Sequence, residues 1–196
     1  MKNKFALLTL LLAVTATTAC GIADQTTAPA PLKVATAVSP NLTGTITQLT
    51  AVLTSYSAMI WRTPVANATS ASVRVTRTTG GVIQIPGLGA TLTIPAGAVA
   101  VPTTITMTAL PGYVVAYEYG PAGTKFELPL IMRQDLSKTW WFGAPFSVVY
   151  FQQTSDIDQK NHTVKGSETL PVTLSGTMAD YQLWHFSGYA LSSSRQ

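Results

Sequence analysis

The chain has 196 residues, 46% hydrophobic and only 10% charged. That length holds one domain with a leader and a tether rather than several domains. The net charge of +4 is half supplied by Lys2 and Lys4 at the extreme N-terminus, and no basic run of the kind that nucleic acid or anionic lipid requires follows.

Residues 1–19 have the form of an export signal. Lys2 and Lys4 precede an apolar run from Phe5 to Val14, and small residues follow up to Ala19. The run spans about 15 Å as a helix, half of a hydrocarbon core, so it is too short to be a membrane span. The only cysteine, Cys20, comes directly after Ala19. Thr17-Thr18-Ala19-Cys20 resembles a bacterial lipobox, with Thr17 where leucine is commonest. That resemblance implies lipid attachment at Cys20, and Gly21 after the cysteine implies delivery to the outer membrane. The alternative is ordinary cleavage after Ala16 or Ala19, which would leave a secreted or periplasmic protein with a lone thiol.

Residues 20–45 are rich in Ala, Pro and Thr without apolar periodicity and read as a flexible tether with an end-to-end distance of roughly 25–30 Å. Residues 46–71 are ambiguous. Ile46, Leu49, Val52 and Leu53 fit helical spacing, whereas the Thr and Ser content disfavours a helix, so a docking helix and an edge strand both stand.

From Ser72 the apolar period becomes two. Val73 and Val75, Leu92 and Ile94, Ile105, Met107 and Ala109, and Phe126, Leu128 and Leu130 alternate with mostly polar neighbours. Gly80-Gly81, Pro86-Gly87, Pro111-Gly112 and Gly120-Pro121 punctuate these runs as turns. The pattern predicts an all-β domain, a single β-sandwich of antiparallel strands over residues 72–192, with 193–196 as a tail. Gly81 and Gly97 can adopt positive φ at turns, and Pro95 ends the Leu92–Ile94 strand or lies on an edge.

Three segments together resemble the ZU5 domain family, a β-sandwich module of ankyrins, netrin receptors and related scaffold proteins. They are Gly80-Gly81 with Pro86, Leu92-Thr93-Ile94-Pro95-Ala96-Gly97-Ala98, then Gly120-Pro121 with Gly123, Phe126 and Pro129, and finally His185-Phe186-Ser187-Gly188-Tyr189. The resemblance implies a sandwich fold and a tendency to bind proteins, and it carries over no binding residues. In some relatives of that family the tripeptide matching His185-Phe186-Ser187 cleaves itself, which implies Ser187 as nucleophile on the Phe186 carbonyl. On a strand, His185 and Ser187 share one face, so His185 is placed to act as general base. The other reading is a last strand pair whose aromatics close the core.

Two further segments invite chemistry. Trp140-Trp141-Phe142 either stacks on a sugar or a partner, making Trp140 and Trp141 binding candidates, or folds over the core as a strand end. Asp156, Asp158 and Asn161 place oxygens two and three residues apart but lack the glycine and distal glutamate of a calcium loop, so a polar turn is expected. His162 has no partner at metal-ligand spacing, and no metal or cofactor is expected. The leading expectation is a non-enzymatic, lipid-anchored envelope protein presenting an interaction module. Self-cleavage between Phe186 and Ser187 is the rival, and carbohydrate binding through the aromatic loop is a third reading.

Overall fold

The computed structural model describes residues 53–144 and 146–193. The export signal, Cys20 and the tether lie outside these residues. Within them the protein is all-β, interrupted only by 3₁₀ turns at Pro86–Leu88, Leu136–Lys138 and Thr154–Asp156. No helix among the described residues is long and apolar enough to cross a membrane.

Two antiparallel sheets face one another. The five-stranded sheet contains β4 (Gly81–Ile85), β5 (Ala90–Ile94), β9 (Lys125–Asp135), β14 (Thr173–Ser175) and β15 (Met178–His185), in the order β14-β15-β9-β5-β4. The six-stranded sheet contains β3 (Thr69–Val75), β6 (Thr103–Ala109), β8 (Ala116–Gly120), β10 (Phe146–Phe151), β13 (Glu168–Leu170) and β16 (Gly188–Ser193), in the order β13-β10-β16-β8-β6-β3. Alternation places Leu92, Ile94, Leu130, Met132 and Leu183 of the first sheet against Ile105, Met107, Val148 and Leu191 of the second, in one continuous core.

A third layer explains why β16 is buried on both faces. β1 (Thr54–Ser57), β11 (Ile157–Asp158) and β12 (Thr163–Gly166) form a three-stranded sheet. A second core unites Val164 of this sheet with Val149, Ala190 and Ala116 from the six-stranded one. β2 (Ile60–Val65) pairs with β7 (Gly112–Val114). Tyr189 and Leu191 therefore enter the main core while Ala190 between them enters the second.

The domain boundary at residue 72 needs correction. β1, β2 and the start of β3 all precede it, and Trp61 is 1% exposed in the main core. The described part of the 46–71 segment is thus strand, not helix. Its period-two signal is broken because the β2–β7 register slips between Ile60 and Val65.

Leu128 is also corrected, being 44% exposed rather than inward. The β15–β9 pairing jumps from Leu183↔Leu130 to His185↔Lys125, so extra residues of β9 bulge there and reverse the facing of Leu128. Gly97 uses that freedom at φ +87, whereas Gly81 lies at ordinary φ and starts β4. A Cβ on Gly81 would press within 3.1 Å of the Val73 and Val75 methyls, so that glycine is needed for space.

Candidate functional site

His185 ends β15 and Gly188 begins β16, so Phe186-Ser187 carries the chain from one sheet to the other. The tripeptide is not one continuous strand. Three backbone hydrogen bonds hold it at the crossing. Phe186 N–H donates to Thr124 O at 2.9 Å, the Phe186 carbonyl accepts from Gly123 N–H at 3.0 Å, and the Ser187 carbonyl accepts from Tyr119 N–H at 3.0 Å. The Phe186 ring is buried, stacked on Tyr119 at 5.3 Å and edge-on to Phe126 at 4.6 Å. Gly188 lies under the Phe151 ring, which a Cβ at that position would overlap.

The side chains on either side of Phe186 look elsewhere. Ser187 Oγ donates to the Phe151 carbonyl at 3.2 Å. His185 Nδ1 lies 3.1 Å from Tyr189 Oη, and its Nε2 lies 3.5 Å from Glu168 Oε2. Tyr189 Oη also donates to the His185 carbonyl at 3.0 Å, which ties the imidazole and its backbone to the same hydroxyl. Tyr150 and Tyr189 pack on the imidazole at 5.2 and 6.0 Å. No hydrogen bond joins His185 to Ser187 among the described residues. The base–nucleophile contact that acyl transfer requires is therefore not formed in this arrangement.

Trp184, just before this corner, is 50% exposed instead of closing the core. It points outward because Leu183 takes the inward position beside it. Together with Leu170, Pro171, Thr173, Ile131 and Gln182 it lines an open groove of about 500 Å³ on the outer face of the five-stranded sheet. The groove forms where the chain leaves β13 in one sheet and enters β14 in the other. Asp180, also on its rim, accepts two hydrogen bonds from Arg133, Nε to Oδ1 and Nη2 to Oδ2, both 2.7 Å. The Arg133 hydrogen bonds hold the Asp180 carboxyl below its ordinary range, outweighing its partial burial. Sequence reasoning missed this groove, since no local pattern announces a chain crossing between sheets.

The aromatic loop is divided. Trp141 is half-buried, packed on the core, with Nε1 donating to Ala144 O at 2.9 Å. Trp140 and Phe142 do not fold over the core. They are 47% and 70% exposed, with rings stacked at 6.1 Å.

The acidic segment is a polar turn. Asp158 Oδ1 accepts from Lys160 N–H and Asn161 N–H at 2.9 Å each, and Asp156 Oδ2 accepts from Gln152 N–H and Gln153 N–H at 3.2 and 3.1 Å. Backbone and side-chain bonds from Asn161 keep the Asp158 pKa low. His162, at φ +51, packs edge-on to Tyr113 at 5.7 Å. No three His, Cys, Asp or Glu side chains cluster for a metal among the described residues. No protein-family model matches the chain, and no curated protein matches it.

Proposed function

We propose that the protein is a non-enzymatic cell-envelope module, lipid-anchored through Cys20, that binds a protein partner in the groove beside Trp184. The groove carries this reading. A half-exposed indole beside Leu170 and Pro171, with Gln182 and Asp180 on the rim, joins an aromatic anchor to a polar border, which is how protein-binding pockets are built. The leader with Cys20 and the Ala/Pro/Thr-rich stretch after it support presentation from a membrane. Among the described residues no hydrogen bond joins His185 to Ser187, whose hydroxyl donates to Phe151 O, and this favours binding over self-cleavage.

The test places a photo-crosslinking residue at Gln182 and takes an intact denaturing mass of the protein from the membrane fraction of its native host. The expected species is residues 20–196 plus acyl groups, with one defined protein adduct that disappears on Trp184→Ala. A soluble chain with unmodified Cys20 would overturn the anchor. An adduct that persists in Trp184→Ala, or no adduct at all, would overturn the groove.

A further inference from the structure

One end of the sandwich gathers exposed apolar groups and cations that the groove does not use. The loop after the Leu136–Lys138 turn is held firmly at its base. Trp140 N–H donates to Ile60 O at 2.9 Å, and Thr139 is buried with its Oγ1 donating to Leu136 O at 2.9 Å. Trp140 and Phe142 are thus presented by a fixed platform, half and two-thirds in solvent. Beneath them is a pocket of about 160 Å³ lined by Ala58, Met59, Ile60, Trp141, Phe146 and Ser193. Apart from the Trp141 indole N–H, already bonded to Ala144, Ser193 is the one polar side chain in that set.

Two cations stand beside this platform. The Arg62 guanidinium lies 5.1 Å from the Trp140 ring centroid, and its Nε donates to Thr139 O at 3.0 Å. Lys138 closes the preceding turn and is exposed. No carboxylate lines the pocket. The nearest acid along the chain, Asp135, accepts Ser137 N–H at 2.9 Å and keeps its negative charge near Lys138, which leaves Arg62 as the cation set directly against the Trp140 ring.

A sugar stacked on Trp140 would need donors and acceptors around the ring to fix its hydroxyls, and this pocket offers almost none. A bilayer surface makes the opposite demand. Indole and phenyl rings settle at headgroup depth, and Arg and Lys keep their charge among phosphates while their stems follow the apolar surface. We infer that this end docks on an anionic phospholipid surface, with Trp140 and Phe142 entering the interfacial zone and Arg62 and Lys138 meeting headgroup phosphates. The inference rests on the envelope reading but not on acylation of Cys20. A lipid there raises the local concentration of the platform at the bilayer, so a weak intrinsic affinity suffices. Docking by this end leaves the Trp184 groove, on the outer face of a sheet, open to a partner.

The test uses residues 20–196 with Cys20→Ser, so that no acyl chain contributes, sedimented with vesicles of phosphatidylglycerol and phosphatidylethanolamine or of phosphatidylcholine alone. Binding is expected on the anionic vesicles, weakened by salt. It should fall about tenfold or more in Trp140→Ala/Phe142→Ala, as loss of two buried rings predicts. Arg62→Gln/Lys138→Gln should reduce binding and its salt dependence, while Trp184→Ala keeps wild-type binding. Phe142→Ser, at the most exposed position, serves where the double variant fails to fold. The inference is overturned by no partition of the Cys20→Ser chain, by equal partition of the loop variants, or by glycan binding lost on Trp140→Ala. Failure of acylation at Cys20 leaves the vesicle result standing, and failure on vesicles leaves the anchor standing.

Discussion

Ser187 is flanked by a histidine two residues before it, yet its hydroxyl donates to Phe151 O and the imidazole is taken by Tyr189 and Glu168. The residue's role in this geometry is to tie the sheet crossing to β10. Ser187→Ala should therefore leave the chain's intact mass changed only by one oxygen, with no fragment ending at Phe186 in either protein. It should cost about 1 kcal/mol in urea denaturation, the usual worth of one hydrogen bond. A fragment ending at Phe186 in the wild type and absent from Ser187→Ala would restore the self-cleaving reading. The tripeptide was legible as a distinctive segment, because three unusual residue types fall together. Its wiring was not, since Glu168 and Phe151 lie far away in sequence and only the fold brings them to it. Trp140 and Phe142 show the same limit: composition favours burying large aromatics, and only the fold shows that Trp141 and Phe146 already cover this edge of the core.

At the scale of elements, the runs of strict alternation were legible. β5 and β6 lie where period two puts them, with Leu92, Ile94, Ile105, Met107 and Ala109 at 0–2% exposure. The strands before residue 72 were hidden for two physical reasons. β1 is a strand of a small outer sheet and keeps Thr54 and Ser55 in solvent, while β2 carries Pro64 and a register slip that breaks alternation. These strands are nevertheless structural. Trp61 fills the main core and meets Tyr117 edge-on at 6.2 Å, and Ala58 and Tyr56 pack in the second core. A chain beginning at Ser72 loses Trp61 outright, a deletion worth about 3–5 kcal/mol even as a single Trp→Ala substitution, which is a large share of a typical domain's stability. We expect that chain to show no cooperative unfolding transition by circular dichroism, whereas one beginning at Leu53 unfolds cooperatively. Equal transitions for the two would mean that the sandwich closes without β1 and β2.

Across the whole molecule, the small number of charges moves the burden of stability to packing, and much of that packing is tyrosine. Three ion pairs occur among the described residues, each with at least one half-exposed partner, and such pairs contribute little. Tyr117, Tyr119, Tyr181 and Tyr189 instead meet inside the sandwich. Tyr117 donates to the buried Gln134 Oε1 at 2.6 Å. The Tyr119 and Tyr181 hydroxyls have no hydrogen-bond partner of good geometry, though they are near enough to influence each other's ionisation. Burial is the largest cause that raises all four pKa values above the ordinary tyrosine value of 10.0, because a phenolate would lose its hydration. The folded pKa of each is above the unfolded one, so their stabilisation is complete below about pH 10 and declines as pH rises toward the folded values. Alkali should thus unfold the protein in one step, with tyrosinate absorbance rising together with loss of the β signal in circular dichroism. Tyr119→Phe removes one ionising group and one unpartnered buried hydroxyl. It should move that midpoint to higher pH and leave neutral-pH stability unchanged or raised by about 1 kcal/mol. Core tyrosines that ionise smoothly near pH 10 while the β signal persists would show that water reaches them and that the tyrosine core is open rather than closed.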